Sequence, residues 1–235
     1  MGKANKWWTT IKRQDWGSFL MQFFAVMLGI IVTFAGESII SSHNTNKEVK
    51  TSLQLAKGEL LDNLKEVENA DTIWKLQGQA SRFLYTYMDS LEKAPQDSLA
   101  FYCNLPVTLA SFSSTEHALD LMKSSGVFAK MDDKALALDI VRAYDLISNY
   151  IKVYNIYYEK QKTLVEAALT PEFKEAMNKK ATTITAVEFW NELGASVAGR
   201  YLISEMTVQS NFDLGHKEVC DSVNSIISNI EAYCK

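Results

Sequence analysis

From Gly17 to Ile40 the chain reads GSFLMQFFAVMLGIIVTFAGESII, and this stretch restricts the possible fold more than any other feature. A helix rises about 1.5 Å per residue, so these 24 residues reach about 36 Å, enough to cross a hydrocarbon core of about 30 Å with some tilt. Glu37 is the only ionisable residue in it. A cleaved signal peptide needs a shorter apolar run and a small-x-small site, and Phe34-Ala35-Gly36-Glu37 is a poor one. The expectation is an uncleaved transmembrane helix at 17–40, preceded by a basic, Trp-rich segment at 1–16 and followed by a domain at 41–235.

Lys3, Lys6, Lys12 and Arg13 against Asp15 give the first segment a charge of +3 and leave −7 for the rest of the 235-residue chain. Positive flanks stay on the cytoplasmic side, so the N-terminus is expected in the cytoplasm and residues 41–235 across the membrane. An acidic main domain without a basic patch disfavours nucleic acid as a partner. Membrane lipid is the expected partner of the first segment. Trp7, Trp8 and Trp16 suit the headgroup region, and Lys12 and Arg13 suit its phosphates. A short helix on the membrane surface and a frayed tail both fit this pattern.

At about 100° per residue, Ser18, Gln22, Ala25, Gly29, Thr33, Gly36 and Glu37 fall on one side of the apolar helix. Small residues permit close helix approach in lipid, and Gln22 and Glu37 want polar partners there. The expectation is an interface with another transmembrane helix, either a second copy or a different subunit. In the alternative, the two polar side chains reach the membrane surfaces and the small residues are incidental.

Beyond residue 45 the pattern is helical throughout. Val49, Leu53, Ala56, Leu60, Leu64 and Val67 recur every three or four positions, in a helix that continues the apolar one or follows a break at Ser41–Thr45. A second stripe, Ile73 to Leu91, ends before Pro95. Ser113 and Glu116 have the spacing of a capping box, and Gly126 suits the end of the helix that box would open. A long helix is expected from Asp132 or Asp133 to about Ala168, with Leu136, Ile140, Tyr144, Ile147, Ile151, Tyr154 and Tyr158 along one face. Thr170 and Pro171 open another, and two more follow at about 185–209 and 213–233. The fold class is all-α: an N-terminal transmembrane helix followed by an up-and-down helical bundle.

Three stretches carry a likeness to a known group. VMLGIIVTFAGESIISSHNTNKEVKTSLQLAKGELLDNL runs from an apolar segment through polar residues into a Lys/Glu/Leu-rich helix. TEHALDLMKSSGVFAKMDDKALALDIVRAY pairs a short helix with a longer one across Ser-Gly, and a C-terminal helix completes the set. In this order of features the chain resembles an uncharacterised family of small single-pass membrane proteins, a domain of unknown function common in Bacteroidota. The Trp-rich N-terminus and Glu37 depart from that family. The resemblance implies a bacterial inner-membrane protein with a periplasmic helical domain, and it implies no activity.

No phosphate loop, HExxH, CxxC or GxSxG motif occurs. His216 and Cys220 stand four apart on one expected helix, but two ligands without a third make a poor metal site, so neither metal nor cofactor is expected. Glu188/Glu192 and Glu66/Asp71 read as solvated faces. Cys220 and Cys234 lie too far apart along one helix to bond, so a disulfide would use Cys103, with Cys220 as partner. Three unbridged thiols are the alternative. These features favour a membrane-anchored interaction protein, a subunit or scaffold in an envelope complex. The alternative is a ligand-binding sensor acting through a partner, which an apolar cavity lined by Tyr144, Tyr154 and Tyr158 would favour. An enzyme is not expected.

Overall fold

Apolar residues spaced by three and four build the elements seen in the computed structural model, which describes the backbone of residues 7–179 and 185–235 and the side chains of 21–33, 43–179 and 185–235. The helices are α1 (Trp7–Tyr87), α2 (Gln96–Tyr102), α3 (His117–Ser124), α4 (Val127–Lys130), α5 (Lys134–Ala168), α6 (Pro171–Lys179), α7 (Ala186–Ala195), α8 (Val197–Gln209) and α9 (His216–Cys234). The protein is an all-α helical bundle, with no strand among the described residues.

The chain forms two compact units, Met1–Thr51 and Ser52–Lys235. The division between these units falls inside α1, and Ser41–Thr45 is helical. In the first unit, every residue from Met21 to Thr33 is exposed, including Phe23, Phe24, Val26, Met27, Leu28, Ile30, Ile31 and Val32. Among the described residues no helix is long and apolar enough to cross a membrane. The expected span at 17–40 continues on both sides into residues whose side chains lie outside those described. Ser18, Gly36 and Glu37 are among these, as are Trp7, Trp8, Lys12, Arg13 and Trp16.

In the second unit α1 buries Leu53, Ala56, Leu60, Leu64 and Val67. Each such side chain removed from water stabilises the fold by about 1.5–3 kcal/mol before entropy is counted. Helix α5 buries the expected face from Leu136 to Tyr154 and packs on α8 and α9. A further cluster joins Leu84, Leu99, Val165, Trp190, Leu193 and Leu202. The Trp190 indole N–H donates to the Cys103 carbonyl at 2.8 Å, tying α7 to the end of α2.

Local caps set several boundaries. The Asp133 carboxylate accepts from Leu136 N at 2.9 Å and starts α5. Thr170 Oγ1 accepts from Phe173 N and starts α6. Gly126 takes the left-handed conformation (φ 70°) that follows α3, where other residues are strained. The single helix expected at about 185–209 is divided at Ser196, whose hydroxyl caps α8 through Gly199 N. One expectation fails: the Ser113–Glu116 capping box does not form, and Glu116 makes no side-chain cap. The helix begins instead at His117, and its first two amides, His117 N and Ala118 N, donate to the Glu59 carboxylate of α1 at 2.9 and 2.8 Å.

Candidate functional site

Asp71, Trp74 and Lys75 on α1, residues 210–214 of the α8–α9 turn, and His216 and Lys217 at the start of α9 line a groove of about 310 Å³. Gly215 opens α9 from the left-handed region (φ 76°), which turns His216 back toward α1. Asp71 is nine-tenths buried, against the expectation of a solvated face. The reason is its position on α1 beside the α9 N-terminus. Asp71 Oδ2 accepts from Lys75 Nζ at 2.6 Å and lies 3.7 Å from His216 Nδ1. On the far side of the ring, His216 Nε2 is 3.4 Å from Cys220 Sγ. The Tyr150 ring meets His216 edge-on, and its buried hydroxyl has no hydrogen-bond partner among the described residues. The Trp74 indole donates to the Phe212 carbonyl at 3.3 Å and holds the turn against α1.

The order Asp71–His216–Cys220 is that of a carboxylate orienting an imidazole toward a thiol. The surroundings have the wrong sign for a nucleophile. Burial pushes the Cys220 thiol up from its usual value, and the carboxylates of Glu68, Asp71 and Asp221 push it further. Reactive cysteines need an electropositive setting, so this thiol stays protonated at neutral pH. Among the described residues no group of three or more His, Cys, Asp or Glu side chains is placed to hold a metal ion.

The expected disulfide is not present: Cys103 and Cys220 are not bonded to one another. Cys103 packs against the cluster around Trp190, whereas Cys220 faces His216. Tyr144 and Tyr154 are packed in the core among the described residues. Both are 2% exposed, their hydroxyls donating to Glu59 Oε2 and to the Ala110 carbonyl. Gln22, Ala25, Gly29 and Thr33 of the expected seam are exposed, and the Thr33 hydroxyl bonds the Gly29 carbonyl of its own helix at 2.8 Å.

A second arrangement had no signal in the sequence motifs. Residues 108–116, between the turn at Leu105–Val107 and α3, form neither helix nor strand. They are held as an extended strap by side chains of α1 and α5. Gln161 donates to the Pro106 carbonyl at 3.1 Å, and Gln77 and Gln161 donate to that of Thr108 at 2.7 and 3.2 Å. Tyr154 donates to Ala110 O at 3.1 Å and Asn155 to Phe112 O at 3.0 Å. Asn63 donates to Thr115 O and accepts from Thr115 N.

No known family's sequence model, no curated protein and no solved structure matches the chain.

Proposed function

We propose that this protein is a membrane-anchored helical interaction module, a subunit or scaffold of a bacterial envelope complex. Its anchor lies at 17–40, its N-terminus in the cytoplasm and its bundle in the periplasm. The supporting observation is the exposed apolar helix surface from Met21 to Thr33. Nine large apolar side chains there, Met21, Phe23, Phe24, Val26, Met27, Leu28, Ile30, Ile31 and Val32, meet no core of their own. An uncovered apolar surface of this kind marks contact with lipid or with another protein. The basic flank at 1–16 supplies the orientation. The filled core at Tyr144 and Tyr154 favours interaction over small-molecule sensing, and the unfavourable electrostatics around Cys220 speak against thiol catalysis.

The test labels single cysteines introduced at Lys3 and Lys235, in a background without native cysteines, in intact spheroplasts with a membrane-impermeant reagent. Labelling at 235 and not at 3 is the expected pattern. The reverse pattern refutes the orientation, and extraction of the chain by alkaline carbonate refutes the anchor.

A further inference from the structure

The strap is held in an unusual way. No residue from Val107 to Ala118 is fully buried, and its apolar packing is limited to half-buried side chains such as Val107 on the cluster around Trp190 and Phe112 edge-on to Tyr154. Its backbone-to-backbone hydrogen bonds stop at Thr108 N to Leu105 O and resume at Asp120 N to Glu116 O, among the described residues. Between them, neutral side chains do the holding, and they reach the carbonyls of Thr108, Ala110 and Phe112, every second residue, while Gln161 also reaches Pro106 O in the preceding turn. Two residues is the period of an extended chain. The hydrogen bonds from the helices therefore read chiefly the strap's backbone, with the Phe112 ring against Tyr154 as an added side-chain contact. Asn63, Gln77 and Gln161 are 3%, 3% and 5% exposed beneath it, kept in place of apolar residues on helix faces that otherwise build the core.

We infer that this row of side chains, Asn63, Gln77, Tyr154, Asn155 and Gln161, is a receptor for an extended polypeptide, which residues 108–116 occupy in cis and which an uncharged extended segment of another protein can occupy in their place. The chemistry of the occupant follows from the strap. Thr108 to Thr115 carries no charge, and the donors that meet it are neutral amides and a phenol. Burial and the neighbouring Tyr158 raise the Tyr154 phenol, so it remains a donor at physiological pH. Opening the strap breaks hydrogen bonds that water can replace and removes no fully buried side chain from the core, the condition for local rather than global opening. The inference does not depend on membrane anchoring.

The experiment uses the full chain in mild detergent. In wild-type protein, amide hydrogen exchange at 109–115 should be at least about tenfold faster than in the buried middle of α5, with weak dependence on denaturant. Exchange of these amides only at the global unfolding rate overturns the inference. A second variant, Ala110→Asp with Phe112→Asp, displaces the strap while leaving the receptor side chains intact. A fluorescent peptide of residues 105–116 should bind this variant measurably and bind it more weakly when Gln161→Leu is added. The same peptide carrying the two aspartates should not bind. Failure of the unmodified peptide to bind the folded strap-displaced variant, or equal binding by both peptides, overturns the inference. Should the double variant not fold, the wild-type exchange pattern decides alone.

Discussion

Glu59 of α1 and Tyr144 of α5 meet at 2.8 Å, phenol to carboxylate, and the same carboxylate receives the first two amides of α3. One side chain thus joins three helices. Burial works to raise the Glu59 carboxyl, but hydrogen bonds from Tyr144, Ala118, Thr115 and His117 outweigh it and hold the carboxyl below its usual value. Burial, then Glu59, pushes the Tyr144 phenol up, so the phenol stays a donor.

Replacing Glu59 should therefore cost more than a half-buried glutamate on a helix normally would. Glu59→Ala strands a buried phenol and two helix-end amides, and about 3 kcal/mol of stability should be lost. Tyr144→Phe should cost about 1 kcal/mol. Because the folded-state pKa is depressed, the ionic part of this stabilisation is complete above the ordinary value of 4.5 and disappears as pH falls through the lower folded value. Urea unfolding of wild type and Glu59→Gln from pH 7 to pH 3 checks this. The gap between the two should narrow on the acid side, and a constant gap would show that the charge is not involved.

Glycine substitutions should separate close packing from open helix. A Cβ on Gly199 would clash with the Leu193 carbonyl oxygen, where only backbone movement could relieve it. That movement would strain the Ser196 cap on Gly199 N, so Gly199→Ala should destabilise by about 1–3 kcal/mol. Gly58 lies exposed within α1, and a Cβ there meets nothing within 4 Å. Gly58→Ala should stabilise by about 0.5–1 kcal/mol through helix propensity alone. Thermal melting of the two variants reads both signs.

These contrasts show where local sequence rules suffice. The caps at Asp133 and Thr170 and the αL glycine at 126 were legible because each acts within a few residues of its own chain. The true start of α3 was not, because Glu59, some sixty positions upstream, takes the first two amides of a helix that begins at His117. Distance along the chain also hid the strap. Its signal was present in one form: Asn63 stands among Leu60, Leu64 and Val67 on the buried stripe, and a buried amide requires a partner. His216 and Cys220 were legible as a pair by their spacing, whereas Asp71 enters only through the packing of α9 on α1.

Thiol chemistry should report that packing. Glu68 and Asp71 from α1 and Asp221 and His216 from α9 face Cys220, with Tyr150 of α5 beside the imidazole. Burial and the three carboxylates raise the thiol above its ordinary value of 9.0, so Cys220 alkylation should reach half its limiting rate above that pH. Asp71→Asn removes one of the charges, and the midpoint should move down with faster alkylation at pH 8. Peptide mapping after timed iodoacetamide treatment distinguishes Cys220 from Cys103 and Cys234. Unchanged kinetics in Asp71→Asn would mean that Asp71 does not act on this thiol.

The seam on the apolar helix gives the most direct test of partnership. Gln22, Ala25, Gly29 and Thr33 share one side at helical spacing, and all four are exposed. A Cβ on Gly29 meets nothing within 4 Å, so a larger side chain there leaves the chain's own packing intact. The Thr33 hydroxyl is already bonded to the Gly29 carbonyl, which removes a polar group from the face without widening it. If the proposed interface forms, close approach of a second helix rests on Gly29 and Ala25, with Gln22 as the hydrogen-bonding group. Gly29→Leu should lower the yield of oligomer or complex purified in mild detergent, and Gln22→Leu should lower it as well. Ile31→Leu, on the opposite side, should leave it unchanged. Equal yields from Gly29→Leu, Gln22→Leu and wild type would move the contacts of this protein from the apolar helix to its bundle.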